Sequence, residues 1–136
     1  MKENKDEEIF RIIVCGSKDF CNYDLLKKKC DYYISSRLEK GNKIEIISGG
    51  AKGAESLGEK YAKEKGYSFK VIPIQWDKYG KRAGYLRNSK MAEISNACIA
   101  FLCKDEESKA KGIEMMINIA REKHLLVREV ISKNDK

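Results

Sequence analysis

Ser48-Gly49-Gly50-Ala51-Lys52-Gly53-Ala54-Glu55 falls between a segment that reads as a buried strand and one that reads as a helix. A turn there aims main-chain N–H groups and the positive end of a helix at whatever sits above it, which is chemistry for an anion. Glycine at 49 and 50 removes the Cβ atoms that would keep a phosphate or ribose at a distance. The same glycines also suit a tight turn and close helix packing with no ligand. The stretch lacks the GK[ST] ending of a P-loop. It also misses the dinucleotide fingerprint, because Ser48 stands at the first Gly of GxGxxG and no carboxylate occurs from Ile72 to Trp76 to hold a ribose.

Positive charge gathers further along. Lys78, Lys81, Arg82, Arg87 and Lys90 lie within thirteen residues that include no acid. Such a run is either a solvated face or a place for an anion. Arg87 and Asn88 at the start of a short helix would present a guanidinium fork to phosphate and an amide to a hydroxyl or base. A buried ion pair is the competing role for Arg87. Lys81 and Arg82 would cover the anion from a loop, and Tyr79 offers a flat ring to a base. Trp76 is expected in the core, with stacking as the alternative. Gly16, Ser17 and Lys18 follow the first strand and bring a hydroxyl and a charge to the same edge.

Five cysteines (Cys15, Cys21, Cys30, Cys98, Cys103) with no CxxC fit neither a disulfide framework nor a zinc ribbon, so they read as buried or incidental thiols. A cysteine nucleophile needs a base, and the only histidine is His124, near the end of a helical segment. No metal, no cofactor and no catalytic residue is assigned on these grounds.

The 136 residues, 42% of them hydrophobic, suffice for one core that buries roughly two-thirds of the unfolded surface. Apolar runs such as IIVC and CIAFLC are strand-sized, far short of the ~20 residues of a membrane span. The opening MKENKDEE has no apolar stretch of the kind a signal peptide carries, so a cytoplasmic location is expected. Residues 1–8 read as a charged tail, 9–131 as a single domain and 132–136 as a polar tail. The net charge of +7 favours anionic partners without naming one.

Strand and helix patterns alternate along the domain. Strands are expected at Ile9–Cys15, Ile44–Ser48, Ser68–Ile74, Ala97–Cys103 and Leu125–Ile131. Helices are expected at Asp24–Lys40, from Ala54 to a cap at Gly66, from about Arg87 through Met91 and Ile94, and at Gly112–Lys123. A loop should occupy Gln75 to Leu86 and a charged turn Lys104 to Lys111. Such alternation implies a Rossmann-like three-layer α/β/α sandwich with a five-stranded, mostly parallel sheet. Ligands of such sheets bind beyond the carboxyl ends of the strands. Gly41 and Gly66 then belong to the opposite edge, as caps.

Cys15-Gly16-Ser17-Lys18-Asp19-Phe20, SGGAKGAE (Ser48 to Glu55), WDKYGKRAGYLRN (Trp76 to Asn88) with Met91, and ACIAF (Ala97 to Phe101) together resemble the SLOG superfamily. The similarity is to its small YspA-type, cpYpsA-related branch, whose members typically read GSRxF, GGAxGAD and WxxYGxxAGxxRNxxM. It runs from about Ile12 to Ala120. The resemblance implies a fold that binds nucleotides or nucleotide-derived ligands, in a homodimer in many superfamily members. More distant relatives include the cytokinin-activating phosphoribohydrolases and DNA-processing protein A.

Three departures bear on activity. RNSKM (Arg87 to Met91) resembles the arginine segment of the phosphoribohydrolases, but aligning Gly112 with the Gly-Thr of their glutamate motif puts Ile113 at the Thr and Met116 at the acid/base Glu. Losing that carboxylate weakens any case for cleaving an N-glycosidic bond, and Glu114 lies about 200° around the helix from position 116. Lys18 stands where the branch usually has Arg, keeping charge but losing the fork, and Glu55 where it usually has Asp. Glu55 is either a first-turn acid facing the helix dipole or a ribose contact. The expected function is binding of a nucleotide-derived ligand, cyclic or ADP-ribose-like, for sensing or sequestration. Nucleoside-monophosphate hydrolysis and single-stranded nucleic-acid binding are the alternatives.

Overall fold

The computed structural model describes residues 8–103 and 111–132. Residues 1–7, 104–110 and 133–136 lie outside them, and with them most of the tail expected over 1–8 and of the turn expected from Lys104 to Lys111. Five strands form one sheet: β1 (Ile9–Gly16), β2 (Lys43–Ser48), β3 (Ser68–Val71), β4 (Ala97–Cys103) and β5 (Leu126–Ser132). Every neighbouring pair is parallel, in the order β3-β2-β1-β4-β5. The chain moves outward from β1 to β3, then returns to lay β4 against the other side of β1, so strand order reverses between β1 and β4.

Alternation along the strands feeds two cores. Phe10, Ile12, Val14, Ile44, Ile46, Ile99 and Phe101 face α1 (Tyr23–Glu39) and α2 (Ala54–Lys65). Ile13, Cys15, Ile47, Cys98 and Ala100 face α4 (Ala83–Ile94) and α5 (Lys111–Glu122). The Asn22 side chain caps α1 by accepting from the Leu25 amide at 3.1 Å. Gly66 ends α2 with φ +76° and donates to the Ala62 carbonyl. Gly58 presses α2 against β1 so closely that a Cβ there would lie 2.8 Å from a Val14 methyl. That contact holds the start of α2 above the end of β1.

Two expectations change. β3 stops at Val71 instead of Ile74: Ile72 donates the last rung to the Ser48 carbonyl at 2.9 Å, and Pro73 has no N–H to continue on this edge strand. The loop expected over Gln75 to Leu86 is largely helical, with α3 (Trp76–Tyr79), a 3₁₀ turn (Gly80–Arg82), and α4 beginning at Ala83. Neither α3 nor the turn buries a residue, and α4 buries Ala83, Asn88, Met91 and Ala92, small or polar for the most part, so the segment carries no strong apolar stripe. Arg87 and Asn88 therefore sit in the second turn of α4, not at its start.

Among the described residues no helix is long and apolar enough to cross a membrane.

Candidate functional site

A cleft of about 280 Å³ opens at the switch between β1 and β4. Its wall is built from four places in the chain: the end of β1 with the residues after it (Cys15, Gly16, Ser17, Lys18), the first turn of α2 (Glu55), the middle of α4 (Arg87, Asn88, Met91), and the first turn of α5 (Gly112, Ile113, Met116). Open parallel sheets place ligand crevices at such a reversal. The lining combines these polar groups with Met91, Ile113 and Met116 as its apolar floor.

The polar side is locked together. Arg87 Nη1 donates to the Gly49 and Ile72 carbonyls, both at 3.2 Å, and its Nε donates to Asn88 Oδ1 at 2.9 Å. Asn88 is buried and turns its Nδ2 toward Met115 Sδ at 3.5 Å. Gly49 lies between the guanidinium and the Glu55 carboxylate: a Cβ there would collide with Arg87 Nη1 and come within 2.9 Å of Glu55 Oε1. A side chain at 49 would therefore have to displace the ends of both charged groups.

The Ser48–Glu55 turn spends part of its hydrogen-bonding capacity on itself. Ser48, fully buried, accepts from the Gly50 amide at 2.9 Å and donates to Glu59 Oε2 at 2.8 Å. Glu55 Oε1 accepts from the Ala51 amide at 2.8 Å. Lys52 is exposed, and Gly53 packs against the Ser17 and Lys18 carbonyls with φ +76°. Among the described residues the amides of Lys52 and Gly53 have no acceptor. Ser17 binds the strand ends together: its amide donates to the Phe101 carbonyl at 2.9 Å, its Oγ accepts from the Cys103 amide at 3.2 Å, and its carbonyl accepts from Ala54 at 3.1 Å.

Of the residues selected from sequence, Gly16, Ser17, Lys18, Glu55, Arg87, Asn88 and Gly112 line one cleft. Ser48 to Gly53 stand behind Arg87 and Glu55. Tyr79, Lys81 and Arg82 do not line it; Tyr79 borders a second groove on the far side of Arg87. Trp76 is 60% exposed, which overturns its expected place in the core. Met91, Ile113 and Met116, expected only as motif positions, supply the apolar floor; the signal was their nearness to Asn88 and Gly112 in the chain.

Burial raises the Glu55 carboxyl above its usual value against the pull of the Ala51 amide and Arg87, with Glu59 adding to the rise. Burial likewise lowers Arg87, which Glu55 and Cys15 hold up. Because the folded pKa of Glu55 exceeds the unfolded one, the folded chain binds more protons in the window just above the ordinary carboxylate value. Stability there falls as pH rises, and the cost persists at higher pH. Glu55→Gln keeps an acceptor for Ala51 and is expected to flatten this slope, as read from urea midpoints between about pH 4 and pH 7. An unchanged slope would show that Glu55 is not its source.

Cys15 reaches the cleft, but the Cys98 thiol at 3.9 Å and burial push its pKa well above the usual thiol range. It is a poor nucleophile. His124 adopts φ 64° just after α5, at the sheet edge opposite the cleft, so it serves no cysteine there. Among the described residues no three His, Cys, Asp or Glu side chains gather as metal donors.

A family model, the YspA, cpYpsA-related SLOG family, matches residues 10–79, just over half of the 136. The chain belongs to this SLOG family. The matched stretch of the SLOG domain holds Gly16 to Lys18 and the whole Ser48–Glu55 turn, while Arg87, Asn88 and Gly112 lie beyond it. The domain is 34% identical over 66 residues to the gene 61 protein of Mycobacterium phage D29, covering 43% of this chain and 51% of the phage protein. It thus spans about half the length of that relative. Among solved structures, a predicted subunit of a tRNA methyltransferase from Methanocaldococcus jannaschii matches with a TM-score of 0.43 and 16% identity, over 93% of this chain and 70% of that one.

Proposed function

We propose that the switch-point cleft binds a nucleotide-derived small molecule, for sensing or sequestration. The observation that carries this reading is the meeting of Arg87, Glu55, Asn88 and Lys18 with Met91, Ile113 and Met116 in the lining of one cleft. A nucleoside phosphate combines polar and apolar parts in the same way. Its base suits the methionine floor, its ribose hydroxyls suit the Glu55 carboxylate, and its phosphate suits Lys18 and Arg87. The volume of about 280 Å³ lies just below the ~300–1,000 Å³ typical of ligand pockets, which favours one nucleoside unit over ADP-ribose or a cyclic dinucleotide.

Calorimetric titration with nucleoside monophosphates, cyclic mononucleotides, cyclic dinucleotides and ADP-ribose tests it. A mononucleotide is expected to bind, and Glu55→Gln to weaken it. Failure of the whole panel removes the proposal. Binding without cleavage is the reading for the same molecules, because Met116 has no proton to give where the phosphoribohydrolases carry an acid. Chromatography after prolonged incubation with nucleoside monophosphates is expected to show no free base. Release of base would make the domain a hydrolase.

A further inference from the structure

None of the residues between β3 and α4 lines the cleft. None of the seven residues from Trp76 to Arg82 is buried. Trp76 is 60% exposed and Tyr79 41%, and Tyr85 in the first turn of α4 is 50% exposed. A helix of four residues that gives nothing to the core has no folding reason to carry two aromatic rings, and large exposed rings so close in the chain mark a contact surface. Beside them runs a groove of about 490 Å³ with Ile72, Pro73 and Leu86 as its apolar part and Tyr79, Arg87 and Lys90 around it. Lys78, Lys81, Arg82 and Lys90 are all exposed, with Asp77 and Glu93 as the acids flanking the run. Lys78 Nζ already stands 5.3 Å from the Tyr79 ring centre.

We propose that this face binds single-stranded nucleic acid, with unpaired bases on Trp76 and Tyr79 and backbone phosphates along Lys78, Lys81, Arg82 and Lys90. The charge chooses the partner. Two copies of so basic a face would repel each other, whereas a polyanion releases counterions on binding it. The rings choose the form of the polyanion, because stacking requires base faces that a duplex hides and a single strand exposes. Rings and cations are interspersed from Trp76 to Tyr85, with Asp77 the one acid among them.

Trp76 is the only tryptophan, so its emission reports stacking directly. Titration of the full chain with oligo(dT) and oligo(U) twelve-mers is expected to quench it. Affinity should fall with salt at a slope of about −2 to −3, as ~3–4 neutralised phosphates require. A preference between the two strands would show whether the sugar is read, and a duplex of the same length should bind at least tenfold more weakly. Trp76→Ala, followed by anisotropy of a labelled strand, should weaken binding roughly tenfold or more. Lys81→Glu with Lys90→Glu, both on the surface, should lower affinity and salt slope without changing the melting temperature. No quenching by either strand at low salt overturns the proposal, as does equal binding of the duplex. Equal quenching by poly-glutamate would assign the face to an acidic protein, and a dimer abolished by Trp76→Ala would assign it to a second copy. These readouts are independent of the cleft, whose ligand is followed by heat and by Glu55→Gln.

Discussion

Arg87→Met is expected to cost the fold about 2–4 kcal/mol and to abolish measurable ligand binding in the cleft. The stability loss follows from what Nη1 holds: the Gly49 carbonyl at the end of β2 and the Ile72 carbonyl after β3, neither of which methionine can pair. The same change leaves the buried Glu55 carboxylate without its cation and Asn88 Oδ1 without the Nε donor. Ligand binding should fall because a phosphate entering the cleft would meet Glu55 with no guanidinium to offset it. Arg87→Lys restores charge but not the fork, and should recover only part of either loss. Urea midpoints and calorimetric titration measure the two effects separately. A stability change within ~0.5 kcal/mol would mean that Arg87 is a surface residue and not the link between two strand ends.

Gly53→Ala should be more damaging to the fold, at about 3 kcal/mol or more. Its φ of +76° is costly for a residue with a side chain. The added Cβ would also collide with the Ser17 carbonyl and lie 2.5 Å from the carbonyl carbon of Lys18. Backbone surrounds it, so no side chain can rotate away, and relief requires the turn after β1 and the start of α2 to separate. That junction is where the amide of Ala54 meets the Ser17 carbonyl, so both the fold and the cleft depend on it. A drop in melting temperature of roughly 10 °C or more is expected. Gly112→Ala is the control: a Cβ there meets nothing within 4 Å in the first turn of α5, and the change should be neutral or slightly stabilising. If the two substitutions behaved alike, the close approach at Gly53 would be disproved.

The alternation of apolar runs and helical stripes was enough to give a parallel Rossmann-like sheet, the edge on which its loops gather, and the caps at Gly41 and Gly66. These follow from local periods and from backbone rules that act over a few residues, and the sequence displays them directly. The helical character of Gln75 to Leu86 did not follow, because α3 and the turn after it face water on every side and α4 turns inward with Ala83 and Asn88, leaving no apolar period to read. Nor could the chain order tell that Trp76 stands in solvent.

Which of the chosen residues share one cleft was decided by tertiary structure. The crossover from β3 to β4 carries α4 back over β1, and this brings Arg87 to Gly49 and Glu55 across 38 and 32 positions of sequence. The same packing leaves Tyr79, Lys81 and Arg82 out of the cleft, with Tyr79 bordering a separate groove. Residue types and spacing determined what chemistry was on offer. Only the order of strands, fixed by burial summed over the whole sheet, determined which groups could act together.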